Sequence, residues 1–163
     1  LIGALRRAGA ARIVAADIAD LPLACAKAMG ADETINLKTQ AEAMDRYKAD
    51  KGQFDAVFEA SGSEAALRTG LDVIVPRGVL ITVGMGGDIS LPMTQVVAKE
   101  VDMRGTFRFH AEFATAVRFL NEGLVNGKPV ITSVLPMDRA LEAFELAADK
   151  SQSLKVQIAF ADA

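Results

Sequence analysis

A doubly wound parallel α/β sheet is the fold predicted by three observations. Short apolar runs with β-branched residues alternate with helical segments at the spacing of strand–helix–strand units. The strand candidates end on turn-forming or polar residues: Asp17, Ser61-Gly62, Gly84 to Gly87 and Arg108. The first of them, Arg12-Ile-Val-Ala-Ala-Asp17, runs onto a carboxylate directly after a helical segment closed by Gly9.

Each element follows from local pattern. Leu1, Ile2, Leu5 and Ala8 fall at helical spacing, and Gly9 suits the left-handed residue that ends a helix. Residues 12–16 form a short buried strand. Asp20 is positioned to N-cap a helix from about Leu21, with Pro22 tolerated in its first turn. Leu23, Ala26 and Met29 make its inner face and Gly30 closes it. Thr34 to Leu37 is a second strand, followed by a surface helix with sparse apolar positions Ala41, Met44 and Tyr47. Phe54 to Ala60 reads as a strand buried except at Asp55 and Glu59, and Ser61-Gly62-Ser63 caps a helix from Glu64 to Asp72. Gly78 to Val83 is the next strand, and Val101 to Phe109 another. Residues 111–122 make an amphipathic helix with Phe113, Ala116, Val117 and Leu120 inward. The breaker cluster Gly127-Lys128-Pro129 marks a boundary. Beyond it come an extended run (130–135), a helix (137–148) and a terminal strand (155–160).

The composition excludes several classes. The 163 residues are 51% hydrophobic and 24% charged with a net charge of -3, a balance that favours a packed core over disorder. Lys and Arg are scattered, which disfavours nucleic-acid binding. No apolar run reaches the length of a bilayer-spanning helix, so no membrane partner and a cytoplasmic location are expected. With a single cysteine and a single histidine, neither an internal disulfide nor a Cys/His zinc tetrahedron can form.

Ligands of open parallel sheets sit beyond the carboxyl ends of the strands. In a dinucleotide-binding unit, an acid about 20 positions past the glycine loop accepts hydrogen bonds from the adenosine ribose hydroxyls. Asp17 fits that role, with a helix-capping or solvent-facing carboxylate as the alternative. Counting back places the phosphate-cradling glycines before residue 1, so the chain reads as a Rossmann-type unit that is N-terminally truncated inside its first helix. The charge of Asp17 opposes an added 2′-phosphate, which favours NAD over NADP, and the first basic residue after it is Lys27. Gly84, Gly86 and Gly87 have two readings: a backbone that a flat ring or phosphate approaches closely, or a tight turn after a strand. His110, after a strand and before a helix, has two readings: a general base, or a surface or capping residue, the second favoured because no carboxylate stands near it in the sequence pattern. Cys25, mid-helix among small apolar residues, reads as an inert thiol, and Ser61 lacks the flanking glycine of a nucleophile elbow.

The ordered motifs Ile13-Val-Ala-Ala-Asp17, Met29-Gly-Ala-Asp32, Phe54-Asp-Ala-Val-Phe-Glu-Ala-Ser-Gly62, Arg77-Gly-Val, Val83-Gly-Met-Gly-Gly87, Arg104-Gly-Thr-Phe-Arg-Phe109 and Lys155-Val-Gln-Ile resemble the medium-chain, zinc-dependent alcohol and polyol dehydrogenases, near the sorbitol dehydrogenases. The resemblance implies a cofactor domain over residues 1–127, lacking its first strand and glycine loop, and a C-terminal segment of the catalytic domain over 128–163. It implies that Asp17 binds the adenosine ribose, that Ser61 and Gly62 line the cofactor cleft, and that Val83, Gly84 and Met85 lie along the nicotinamide. Phe107 and Arg108 would meet the carboxamide end, with Arg108 also reaching a substrate hydroxyl. Pro22 stands where a basic residue is frequent in polyol dehydrogenases, and His110 where a small polar residue is usual. The implied cofactors are NAD and, in the complete enzyme, a zinc whose ligands and proton relay lie outside this chain, so no catalytic or metal residue is assigned here. The implied substrate is a small polyol or sugar acid. A homo-oligomer, dimer or tetramer, is expected on separate grounds: residues 101–109 form an edge strand, and an unpaired edge invites pairing with a second copy. The competing readings are a non-catalytic nucleotide-binding or assembly module of the same fold, and a methyltransferase.

Overall fold

The computed structural model describes residues 1–160; Ala161 to Ala163, the end of the expected C-terminal segment, lie outside the described residues. In chain order the elements are α1 (Ile2–Arg7), β1 (Val14–Asp17), α2 (Asp20–Ala28), β2 (Glu33–Asn36), a 3-10 segment (Ala41–Lys51), β3 (Phe54–Glu59), α3 (Glu64–Val73), β4 (Ile74–Thr82), α4 (Met93–Ala98), β5 (Asp102–Gly105), α5 (Glu112–Asn121), β6 (Ile131–Pro136), α6 (Ala140–Ala148) and β7 (Lys155–Ala159). Every described strand pairing is parallel, as expected, but the strands form three sheets: β1-β2, β3-β4-β5 and β6-β7. The chain divides into two compact units, Leu1–Ala41 with Ala111–Ala163, and Glu42–His110.

In the first unit β1 and β2 pair from Val14↔Glu33 to Asp17↔Asn36. Ile13, Ala26 and Ala31 form a buried cluster, with Ile2, Leu5, Ala10 and Ala15 packed against it. A polar pin closes its margin. The Arg6 guanidinium donates to Ala10 O at 2.7 Å, Gly30 O at 2.8 Å and Asp32 Oδ2 at 2.5 Å, and that same carboxylate oxygen accepts Ile13 N–H at 2.7 Å. The expected Asp20 cap is corrected. Helix α2 starts at Asp20 itself, after Ala19, without a side-chain cap, and the Asp20 carboxylate is taken by Asn36 Nδ2 at 2.6 Å.

The same unit contains β6-β7, with α6 adjoining both strands. Ala143 is buried, and Ser153 is buried with its hydroxyl donating to Leu146 O at 2.6 Å. Leu141 and Phe144 on α6 are 74% and 71% exposed. Helix α5 also departs from expectation: Phe113 (53%), Val117 (39%) and Leu120 (53%) are exposed rather than inward.

In the second unit Leu67, Leu71, Ile74, Leu80 and Val96 form the core, with Val57 and Met103 against it. Strand β4 begins at Ile74, directly after α3, rather than at Gly78, and the shift from Phe54↔Ile74 to Ala56↔Val79 absorbs Pro76 and Arg77. Helix α4 was not expected from the sequence. Only one of its side chains, Val96, is buried, so its six residues carry almost no amphipathic signal. Strand β5 pairs with β4 only over Asp102–Gly105, so Phe107 and Arg108 lie beyond the strand instead of within it. The polar 3-10 segment buries Met44 and Tyr47, the two side chains that anchor it.

Candidate functional site

The end of β3 is organised by Glu59, which the sequence pattern marks as an exposed exception and the structure buries to 4% exposure. Its carboxylate accepts Ser61 N–H at 2.6 Å, Gly62 N–H at 2.9 Å and the Ser61 hydroxyl. Ser61 Oγ in turn accepts Ser63 N–H at 3.2 Å. The carbonyl of Glu59 accepts Val83 N–H at 2.7 Å and Gly84 N–H at 3.0 Å from the end of β4. One residue thus ties two adjacent strand-end loops together, and Ser61 is a structural hydroxyl rather than a nucleophile.

The glycines of these loops answer a packing demand. Gly62 has φ +72°, and a Cβ on it would lie 2.6 Å from Gly86 N. A Cβ on Gly84 would lie 2.1 Å from Gly62 N, and one on Gly86 2.1 Å from Gly62 O. The two loops therefore meet backbone to backbone, a reason for glycine that neither sequence reading contained. Gly87 alone of the run faces open space. Met85 is 77% exposed between them.

Next to β4, Thr106 N–H donates to Thr82 O at 3.1 Å and ends the pairing of β5. Phe107 follows, exposed, with the Arg108 guanidinium 4.9 Å from its ring centroid. Arg108 has φ 57°, a left-handed backbone uncommon for a side chain of its size. The structure thus brings Ser61, Gly62, Val83, Gly84 and Met85 together, with Phe107 and Arg108 following the neighbouring strand.

Asp17 belongs to the other unit and ends β1 there. Its Oδ1 accepts Ala19 N–H at 3.0 Å, a local turn that fixes the carboxylate at the strand end, and no donor among the described residues reaches Oδ2. Cys25 donates its thiol to Pro129 O at 3.4 Å, and burial pushes its pKa up, so it stays a thiol at neutral pH. His110 is exposed. A shallow cavity of about 200 Å³ beside Gly3, Arg7, Met29 and Val125 contains none of the candidate residues.

No group of three or more His, Cys, Asp or Glu side chains able to hold a metal ion occurs among the described residues, so these residues do not fit a zinc site. No helix among them is long and apolar enough to cross a membrane.

A family model described as "Zinc-binding dehydrogenase" matches residues 1–122. The chain is 42% identical over 161 residues to L-idonate 5-dehydrogenase (NAD(P)(+)) of Escherichia coli K12, covering 98% of this chain and 46% of that protein. It is 35% identical to sorbitol dehydrogenase of Mus musculus, covering 92% of this chain and 43% of that one. The crystal structure of the Escherichia coli L-idonate 5-dehydrogenase superposes with a TM-score of 0.91, again over 98% of this chain and 46% of the other. The chain spans about half the length of the relatives it matches.

Proposed function

Because the chain belongs to the zinc-binding dehydrogenase family, we propose that it is the cofactor-binding portion of an NAD-dependent dehydrogenase acting on the secondary alcohol of a polyol or sugar acid. The observation that carries this reading is the pair of glycine-packed strand-end loops, Ser61-Gly62 and Val83 to Gly86, held by the side chain and the main-chain carbonyl of one buried residue, Glu59, at the edge where parallel sheets take their ligands. The similarity to L-idonate 5-dehydrogenase supports a sugar-acid substrate.

In this reading Asp17 holds the adenosine ribose through the carboxylate oxygen that its own turn leaves open. Ser61 and Gly62 form one wall of the cofactor site and Val83, Gly84 and Met85 another. Phe107 and Arg108 meet the carboxamide end, and the Arg108 guanidinium binds a substrate hydroxyl. The nicotinamide, when bound, exchanges hydride with the alcohol carbon. The chain's own residues bind and orient it, and no step is assigned to a metal because the described residues do not hold one.

Residues 1–127 are proposed as the dinucleotide-binding domain and 128–163 as a segment of the catalytic domain. The exposed Leu141 and Phe144 of α6 are the kind of apolar surface that further catalytic-domain residues would cover. The protein is proposed to act in the cytoplasm and to assemble as a homo-oligomer through the unpaired edge of β5. Sedimentation of the complete polypeptide as a monomer at all concentrations would remove the assembly proposal.

The central test is Asp17→Asn in the complete polypeptide. Losing the charged acceptor of two ribose hydroxyls is expected to raise the KM for NAD about tenfold, the size of one charge-assisted hydrogen bond, and to narrow the preference over NADP. Unchanged constants for both cofactors would refute the assignment.

A further inference from the structure

We infer that Glu59 is a positioning residue that shapes the nicotinamide end of the cofactor site by withdrawing amide donors from it, an inference that rests on the dehydrogenase reading above. Four of the proposed cofactor residues donate their backbone N–H groups to this one residue, two to its side chain and two to its main-chain carbonyl. Ser61 and Gly62 donate to the carboxylate at 2.6 and 2.9 Å. Val83 and Gly84 donate to the carbonyl at 2.7 and 3.0 Å. The residue is 4% exposed, so water does not compete for these bonds.

Two consequences follow. First, the carboxylate holds the Ser61-Gly62 loop in its backbone-to-backbone contact, while the Val83 and Gly84 bonds go to the main-chain carbonyl of the same residue and persist whatever its side chain. Without the carboxylate, the Ser61 and Gly62 amides and the Ser61 hydroxyl lose their partner together, at a point where Gly62 packs on Gly84 and Gly86. Second, a loop that binds phosphate does so with unsatisfied N–H groups aimed at the anion. Here the groups of Ser61, Gly62, Val83 and Gly84 are already committed, so at these four positions the site presents carbonyl oxygens and flat glycine surface. That surface suits a planar ring bearing a hydrogen-bond donor such as a carboxamide, and it does not suit an anion.

The test uses Glu59→Gln in the complete polypeptide with two probes: NAD, and adenosine diphosphate ribose, which lacks the nicotinamide. Glutamine keeps the shape but faces an NH2 against the Gly62 N–H, donor to donor. NAD affinity is expected to fall about tenfold with adenosine diphosphate ribose affinity unchanged, and hydrogen exchange is expected to rise only over residues 60–63. Equal weakening of both probes would mark Glu59 as merely structural and overturn the inference, as would unchanged NAD affinity. Should Glu59→Gln fail to fold, Ser61→Ala removes one donor to the same carboxylate. A drop of about threefold for NAD alone supports the inference, and no drop overturns it. Wild-type protein that binds neither probe would instead overturn the dehydrogenase reading, and this inference with it.

Discussion

Glycine at position 84 and glycine at position 87 look alike in the sequence, but the structure gives them opposite tolerances. A Cβ on Gly84 would lie 2.1 Å from the Gly62 amide nitrogen, a backbone atom that has no rotamer to escape into. Gly84→Ala is therefore expected to destabilise the second unit by about 2–3 kcal/mol, the usual cost of forcing atoms into a packed interior. A Cβ on Gly87 meets nothing within 4 Å, so Gly87→Ala is expected to stay within about 0.5 kcal/mol of the parent. Urea unfolding of the two variants checks both, and equal midpoints would mean that the loops do not rely on this contact. At this scale the sequence marked the glycine run but not the backbone contact that requires it. Glycine runs at a strand end read as ligand approach or turn, because the partner loop lies more than 20 residues away in sequence. Glu59 escaped for a related reason: an acid in an apolar strand reads as solvent-facing. Its signal was local, an acid two residues before Ser-Gly, placed to accept the amides of the turn that follows.

At the scale of elements, the Arg6–Asp32 pin joins the end of α1, the entry to β1 and the turn before β2. The Ile13 N–H and then the Arg6 side chain hydrogen-bond the ionised carboxylate and hold its pKa below the usual value, against a smaller opposing effect of desolvation. A carboxylate depressed in the folded state binds protons less readily there than in the unfolded chain. Its stabilisation is therefore complete above the ordinary carboxylate pKa of about 4 and is lost as pH falls through the folded value. Asp32→Asn is accordingly expected to be less stable than the parent at pH 7, with the gap closing below about pH 4. Thermal unfolding of both proteins across that range checks this, and a pH-independent gap would refute it. A comparable device ends α3, where Lys99 Nζ donates to Leu71 O, Asp72 O and Ile74 O at 2.6 to 3.0 Å. Such caps come from residues distant in sequence and leave no periodic trace. The elements with a strong period, α2, α3 and β3, were legible to within two residues at either end. The short β5 and the weakly patterned α4 were overextended or missed, since four- to six-residue elements are fixed by ladder and core contacts rather than by their own sequence.

For the whole molecule, parallel order was readable from strand–helix alternation, whereas the division into separate β1-β2 and β3-β4-β5 ladders was not, because alternation does not say which strands share hydrogen bonds. Cofactor affinity belongs to the same scale. The pyrophosphate of a dinucleotide rests on the helix N-terminus that follows a glycine loop, where free N–H groups and the helix dipole meet its charge. Residues 1–160 offer the ribose acid and the loops proposed for the nicotinamide, but their Ser61, Gly62, Val83 and Gly84 amides are already satisfied and cannot substitute for that cradle. Calorimetric titration is therefore expected to give the 163-residue polypeptide an NAD affinity weaker, by at least about a hundredfold, than that of a longer polypeptide carrying a glycine loop, the worth of two to three charge-assisted hydrogen bonds. Equal affinities would mean that the anion is held elsewhere in these residues.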